Sequence, residues 1–373
     1  MKKNIAVIFG GESVEHDVSI ISGMQVVENI DSNKFTVYPI YIDKNGQWYN
    51  DKKLFDINTY KQFEKKSSKI KKTYPSNTPK DKFFNNLDCA VICCHGNYGE
   101  NGTLQGLLDH LKIPYTSSGT LGSSSGMDKI VMKQIFKGLE LPVLPFKWFE
   151  SKGWLSNRNS IISMIEELTY PVIVKPSNLG SSIGIGIAGD QTALVNAIET
   201  ALCYDQRIIV EKAIESARDI NCSAMKRSEE IITSPTEEPV KIETLLSFSD
   251  KYLRNRSKSG MKGMSRKMPA DIPERTAEDV AIYTKKIYRV MDCNGIVRVD
   301  YLYDDKNKNI FVNEINTIPG SLSFYMWEQT GISFQELIEI IIEESISAFN
   351  RKKTLLKKFD SDLINKPYGS IKK

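Results

Sequence analysis

Apolar and polar positions along the chain divide it into three stretches. The first opens with KNIAVIFGG, a continuous apolar run stopped by two glycines, followed by the amphipathic ESVEHDVSIISGMQVVENI. A buried strand, a glycine turn and a helix in that order begin an open α/β sheet. VYPIYID and LDCAVICC predict two further strands. HGNYGENGTLQGLLDHL predicts a glycine-rich loop and a helix, and a helix over 123–139 closes the region. The polar stretch 52–82 has little periodicity and reads as loops or short helices. The second stretch alternates VLPFKWF, a helix around 161–168, YPVIVKP, the loop SNLGSSIG, IGIGIA, a helix over 191–202 and RIIVEKAI. Short strands around a glycine loop with helices behind them predict a small α+β unit. The third runs from Arg218 through INCSAM, a polar segment, a helix over 277–291, two strand-like runs and a final helix ISFQELIEIIIEES. No internal repeat is visible.

Those last two runs, IVRVDYLYD and NIFVNEINTI, are joined by DDKNKN and read as a hairpin. Side chains alternate faces along a strand, so Arg298 and Asp300 point the same way, as do Glu314 and Asn316. In register, the hairpin presents two carboxylates, an amide and a guanidinium on one surface. Oxygen donors of this kind suit Mg²⁺, which usually accompanies nucleotide phosphates. The competing reading is a solvated outer face. The apolar opposite face (Val297, Val299, Tyr301, Ile315) and the selective chemistry of the polar one weigh against it.

Other loops carry candidate chemistry. Lys175 ends a strand ahead of Gly180-Ser181-Ser182, where backbone N–H groups can face an anion; a structural tight turn is the alternative. A literal GxGxxG spans 184–189, but Gly184 and Gly186 read as lying inside a strand rather than in the turn after one, so a dinucleotide site is rejected. Glu15 sits where the first strand meets its helix, and either caps the helix or binds an ammonium group. His95 follows a later strand, and is either a general base or a partner of Glu100. The basic, glycine-dotted segment 250–266 reads as an active-site lid or a surface insertion.

The length, 373 residues, suggests two or three domains. The net charge of 50 − 46 = +4 is too small to imply nucleic acid. No apolar stretch approaches the ~20 residues that span a bilayer, and no signal peptide is visible. The six cysteines show no zinc spacing. Reduced thiols in the cytoplasm, with neither membrane nor nucleic acid as partner, are expected.

Taken in order over roughly residues 4–345, GGESVEHDVSIISG, HGNYGENGTLQG, SSGMDK, VIVKPSNLGSSIG, IVEK, DKYL, RVD and NEINTIPG resemble the ATP-grasp superfamily, and within it the D-alanine–D-alanine ligases. The resemblance implies a mixed α/β and α+β fold of three domains. These are a Rossmann-like open sheet over 1–127, a central unit over 128–217, and a C-terminal unit over 218–349 with a lid at 247–268. The basic tail 350–373 would be disordered or peripheral. Nucleotide would lie between the central and C-terminal units.

Roles carry over by position. Lys129 and Lys175 would hold ATP phosphates beside the loop Gly180, Ser181 and Ser182, with Lys251 at the γ-phosphate. Glu211 and Lys212 would read adenine, and Asp219 the ribose. Asp300, Glu314 and Asn316 would bind two Mg²⁺ ions, with Mn²⁺ as a substitute and K⁺ as an activator. Arg298 and the Gly320 N–H would stabilise developing negative charge. Glu15 would anchor the first substrate's ammonium with support from His95, while Ser181 and Tyr252 close over it.

The resemblance implies ATP-dependent ligation of two D-alanines through an acyl phosphate, for peptidoglycan precursors, by a homodimer. Three departures stand out. Asn101 replaces a usual Asp, Asp219 a usual Glu, and Tyr325 falls where the family's acceptor-binding Ser stands. The acceptor is therefore open between D-alanine, D-serine and a D-hydroxy acid. Another ATP-grasp carboxylate–amine ligase, a non-catalytic nucleotide-binding module and a nicotinamide-linked oxidoreductase are the remaining readings. The joint presence of Arg298, Asp300, Glu314 and Asn316 speaks against the non-catalytic one.

Overall fold

This computed structural model describes residues 2–76, 78, 82–180, 182–239 and 266–355. Strand β1 (Lys3–Gly10) is the centre of the first sheet. Helix α1 (His16–Asn29) crosses from it to β2 (Phe35–Ile42), and β3 (Trp48–Tyr49) and β4 (Cys89–Ile92) complete the order β3-β2-β1-β4. β1 pairs in parallel with both β2 and β4, so its whole apolar run is buried. Within the polar stretch 52–82, residues 52–69 contain short 3₁₀ turns and α2 (Phe63–Lys66). The two-residue β3 had no readable alternation. Helix α3 (Thr103–Leu111) follows the glycine-rich loop.

The helix expected over 123–139 is two helices, α4 (Thr120–Met127) and α5 (Lys129–Gly138). Asp128 breaks the run, because its carboxylate accepts from the N–H groups of Ile130 and Val131 and caps α5.

The second sheet is antiparallel, with β5 (Phe146–Glu150), β6 (Val172–Pro176), β7 (Gly186–Ala188) and β8 (Arg207–Lys212) in the order β5-β8-β6-β7. Helices α6 (Ser151–Ser156), α7 (Arg158–Glu166) and α8 (Gln191–Leu202) accompany it. Gly184 lies in a turn at φ 71°, ahead of β7 rather than inside a strand. The GxGxxG run nevertheless contains strand β7 instead of forming the turn between a strand and α8, so the dinucleotide reading still fails.

The third sheet contains β9 (Arg218–Arg227) and β10 (Glu230–Thr233), with β11 (Glu238–Pro239) and β12 (Arg266–Lys267) forming a separate short ribbon. Helix α9 (Glu274–Val290) leads to the hairpin β13 (Val297–Asp304) and β14 (Asn309–Asn316), giving the order β10-β9-β13-β14. Short α10 (Phe324–Glu328) and long α11 (Phe334–Lys353) follow. α11 runs past the expected end of the last helix, into the segment expected to be a tail; residues 356–373 lie outside the described residues.

Packing does not follow chain order. Phe334, Leu337, Ile338, Ile341 and Ile342 of α11 join the core of the first sheet. Met132 and Phe136 of α5 join the core of the third sheet. These crossings bring Glu15 ahead of α1, the loop after β6 and the polar face of β13–β14 to one cleft. Among the described residues no helix is long and apolar enough to cross a membrane. The cysteines are unpaired, and Cys203 alone among them is exposed.

Candidate active site

The hairpin register sets Arg298 opposite Asn316 and Asp300 opposite Glu314. Arg298 grips Asp300 with two hydrogen bonds, Nε to Oδ1 at 2.6 Å and Nη2 to Oδ2 at 2.7 Å. Asn316 Nδ2 donates to the same Oδ2 at 3.0 Å. Burial pushes the Asp300 carboxyl up, Arg298 opposes this, and the Glu314 charge adds to it. Two carboxylates on one half-buried face, with an amide beside them, are an oxygen donor set with surplus negative charge. They fit a hard divalent cation.

Lysines approach from two other elements. Lys129, first residue of α5, donates to Leu179 O at 2.7 Å and lies 4.0 Å from Glu314. Lys175, on β6, is 3.1 Å from Glu211 Oε1 and donates to Asn313 Oδ1 at 3.4 Å. Lys133 completes the group, 3.1 Å from Glu211 Oε2 and donating to Val312 O at 3.3 Å. The sequence reading passed over Lys133. Its spacing of four from Lys129 puts both on one helix face and was the available signal.

Burial favours a neutral Glu211, yet Lys133 and Lys175 outweigh it and hold the carboxyl down to about 2. At Lys133 burial wins, and its ammonium sits below its ordinary range. The difference is physical: Glu211 faces two cations at hydrogen-bonding distance, while Lys133 has one such anion, a second ammonium and only a weaker pull from Glu314. Strand alternation turns Lys212 the other way, where Nζ donates to the carbonyls of Thr169 and Tyr170. Asp219 pairs opposite Leu302 and contributes negative charge near Asp300.

Glu15 immediately precedes α1, and its side chain makes no cap bond. A β carbon on Gly96 would stand 2.8 Å from its Oε2, and one on Gly180 3.1 Å. Glycine at both places lets two loops close on a single carboxylate. His95 is buried, with Nδ1 2.9 Å from Ile318 O and Nε2 2.7 Å from Ser22 Oγ. Glu100 instead accepts from Gly96 N at 2.7 Å and Ile318 N at 3.1 Å. Burial, with the Glu15 charge added, pushes the Glu100 carboxyl up to about 8.

Glu15, His95, Lys129, Gly180, Ser182, Arg298, Glu314, Asn316 and Gly320 line one cleft of about 850 Å³, its open mouth included. Lys175, Glu211 and Asp300 stand behind its wall. Lys212, Asp219 and Tyr325 are not among its lining residues. Ser181, Lys251 and Tyr252, with most of the expected lid, lie outside the described residues. The Tyr325 hydroxyl donates to Glu237 Oε2 at 3.3 Å, and Arg266 covers its ring at 3.7 Å. Burial, with Glu237 adding, pushes the phenol up to about 12.

Comparison with known proteins gives the family. The D-ala D-ala ligase N-terminus family matches residues 4–118, and the D-ala D-ala ligase C-terminus family residues 135–343. A D-alanine–D-alanine ligase of Thermosipho melanesiensis is 37% identical over 94% of this chain and 95% of its own. Among solved structures, the D-alanine–D-alanine ligase from Coxiella burnetii superposes with TM-score 0.80 at 24% identity, covering 95% of this chain and 96% of its own, a likeness of fold. The VanG D-Ala:D-Ser ligase from Enterococcus faecalis gives 0.77 at 29% identity, over 92% of this chain and 99% of its own. Three sheets with a lysine- and carboxylate-lined cleft between them define an ATP-grasp ligase, a class that uses ATP and a divalent metal. The chain belongs to the D-alanine–D-alanine ligase family.

Proposed function

We propose that this protein joins two D-alanine molecules into D-alanyl-D-alanine at the expense of ATP, supplying peptidoglycan precursors. One observation carries the reading: Glu15, suited to an ammonium, shares a cleft with Arg298, Glu314 and Gly320, suited to a phosphorylated carboxyl group. Relatives at 32–37% identity are named D-alanine–D-alanine ligases, which favours D-alanine as acceptor.

A carboxylate is a poor electrophile because oxide is a poor leaving group. Glu15 holds the first D-alanine by its ammonium, and that substrate's carboxylate oxygen attacks the γ-phosphorus of ATP. ADP leaves and an acyl phosphate remains. Lys129 and Lys175 hold the phosphates and offset their charge. Asp300, Glu314 and Asn316 would hold two Mg²⁺ ions, or Mn²⁺ in their place, which would neutralise charge there, with K⁺ as an activator. The amine of the second D-alanine attacks the acyl carbon, and Arg298 and the Gly320 N–H stabilise the tetrahedral oxyanion. Collapse expels phosphate, which carries off the amine's proton. With Glu211 committed to two lysines and the Lys212 ammonium turned away, adenine recognition by this segment falls to its backbone, and Asp219 takes the ribose. ATP dependence fits a cytoplasmic enzyme, and a homodimer is the arrangement the family resemblance implies.

The test is ADP release with Mg²⁺-ATP and D-alanine as the only amino acid, with mass spectrometry of the product. Equal amounts of ADP and a D-alanyl-D-alanine mass are expected. ADP release only after D-serine or a D-hydroxy acid is added would overturn the choice of acceptor.

A further inference from the structure

The turn after β14 has a conformation that its own residues disfavour. Ser321, Leu322 and Ser323 have φ of 51°, 52° and 48°. Three consecutive residues with β carbons in the left-handed region do not persist unless their surroundings hold them there. The surroundings that do so belong to the first sheet's helix and loops. Ser321 N donates to Ser22 Oγ on α1 at 3.0 Å, and that oxygen lies 2.7 Å from His95 Nε2. His95 Nδ1 lies 2.9 Å from Ile318 O, and Ile318 N donates to Glu100 Oε1 at 3.1 Å. Ser22, His95 and Ser321 are all buried.

The donors and acceptors fix the protons. A carbonyl oxygen only accepts, so His95 Nδ1 carries the hydrogen. Nε2 then accepts from the Ser22 hydroxyl, whose oxygen accepts from Ser321 N–H. The imidazole is neutral, in keeping with the direction in which burial moves it. Both ring nitrogens are committed, so His95 has no lone pair to spare as a general base. Gly320 lies inside this bracket: Ile318 is held by both its N–H and its C=O on one side, and Ser321 by its N–H on the other.

We propose that Ser22, together with His95, is a positioning residue that holds the left-handed turn 321–323 and thereby aims the Gly320 N–H at the oxyanion. The inference rests on the role of Gly320 proposed above.

The first measurement is hydrogen exchange on the free enzyme. Ser22→Ala is expected to speed exchange at 318–323 while leaving other segments unchanged. In ligation, Ser22→Ala should lower kcat by about 10–100-fold, somewhat less than outright loss of an oxyanion donor. KM for ATP should hold, because Lys129, Lys175 and Glu314 sit on other elements. Adding Ser321→Gly to Ser22→Ala should recover kcat severalfold, since glycine adopts the left-handed region without steric cost. A hydroxyl that merely stabilised the fold would not be replaced by a glycine elsewhere. Unchanged exchange at 318–323, wild-type kcat in Ser22→Ala, or no recovery in the double variant would each overturn the proposal. A wild type without D-alanine-dependent ADP release would instead overturn the functional reading, and the exchange result would still decide whether Ser22 holds the turn.

Discussion

Replacing Glu314 by glutamine is expected to lower D-alanine-dependent ADP release by about 10³-fold or more, with the thermal midpoint unchanged or slightly raised. Glutamine keeps the shape and one oxygen and loses the charge. Glu314 stands directly across from Asp300, and both carboxylates face the cleft side of the hairpin. Such a pair repels itself: the Glu314 charge is one reason the Asp300 carboxyl is pushed up. The contact with Lys129, at 4.0 Å and with the Glu314 side chain one-third exposed, offsets little of that repulsion. The charge therefore contributes little to the fold and much to holding a divalent cation against phosphates. Stability and activity should move apart. Wild-type turnover in this variant would sink the metal assignment. Loss of turnover accompanied by a clear fall in midpoint would make Glu314 a structural residue instead.

The hairpin was legible because a period of two is local: residues 298, 300, 314 and 316 declare a common face from spacing alone, and the register confirms it. The opening strand and helix were legible for the same reason. What escaped depends on contacts far apart in sequence. His95 meets partners 73 and 223 positions away, and neither Ser22 nor Ile318 carries a mark that points to it. The left-handed turn at 321–323 escaped because Ser-Leu-Ser contains no glycine; its conformation is imposed by α1 rather than written in the turn. The break at Asp128 was readable as an N-cap, but the Ser- and Gly-rich run TLGSSSGM before it has no apolar periodicity to mark α4 as a separate helix. Glu211 was noticed as part of a strand end, yet its side chain belongs to a buried charge group whose third member, Lys133, comes from a different segment.

That group carries the largest expected effect on stability. Glu211→Gln leaves two ammonium groups buried without a counter-charge, a change that typically costs about 3–5 kcal/mol. The carboxyl itself gives a similar figure: lowering from an ordinary 4.5 to about 2 corresponds to roughly 3 kcal/mol. The thermal midpoint should fall by several degrees near neutral pH. The sign with pH follows from the depressed value. The contribution is fully present above about pH 4.5 and is lost as pH falls toward 2, where the folded-state carboxylate takes up its proton. The gap in stability between wild type and Glu211→Gln should therefore be widest near neutrality and shrink below pH 4.5. Lys133→Met provides the contrast. It replaces an ammonium whose burial already outweighs its attraction, keeps most of the volume, and leaves Glu211 paired with Lys175 alone. Its cost should be distinctly smaller. A larger loss in Lys133→Met than in Glu211→Gln, measured by unfolding at neutral pH, would show that packing around α5, and not the Glu211 charge, holds this wall of the cleft together.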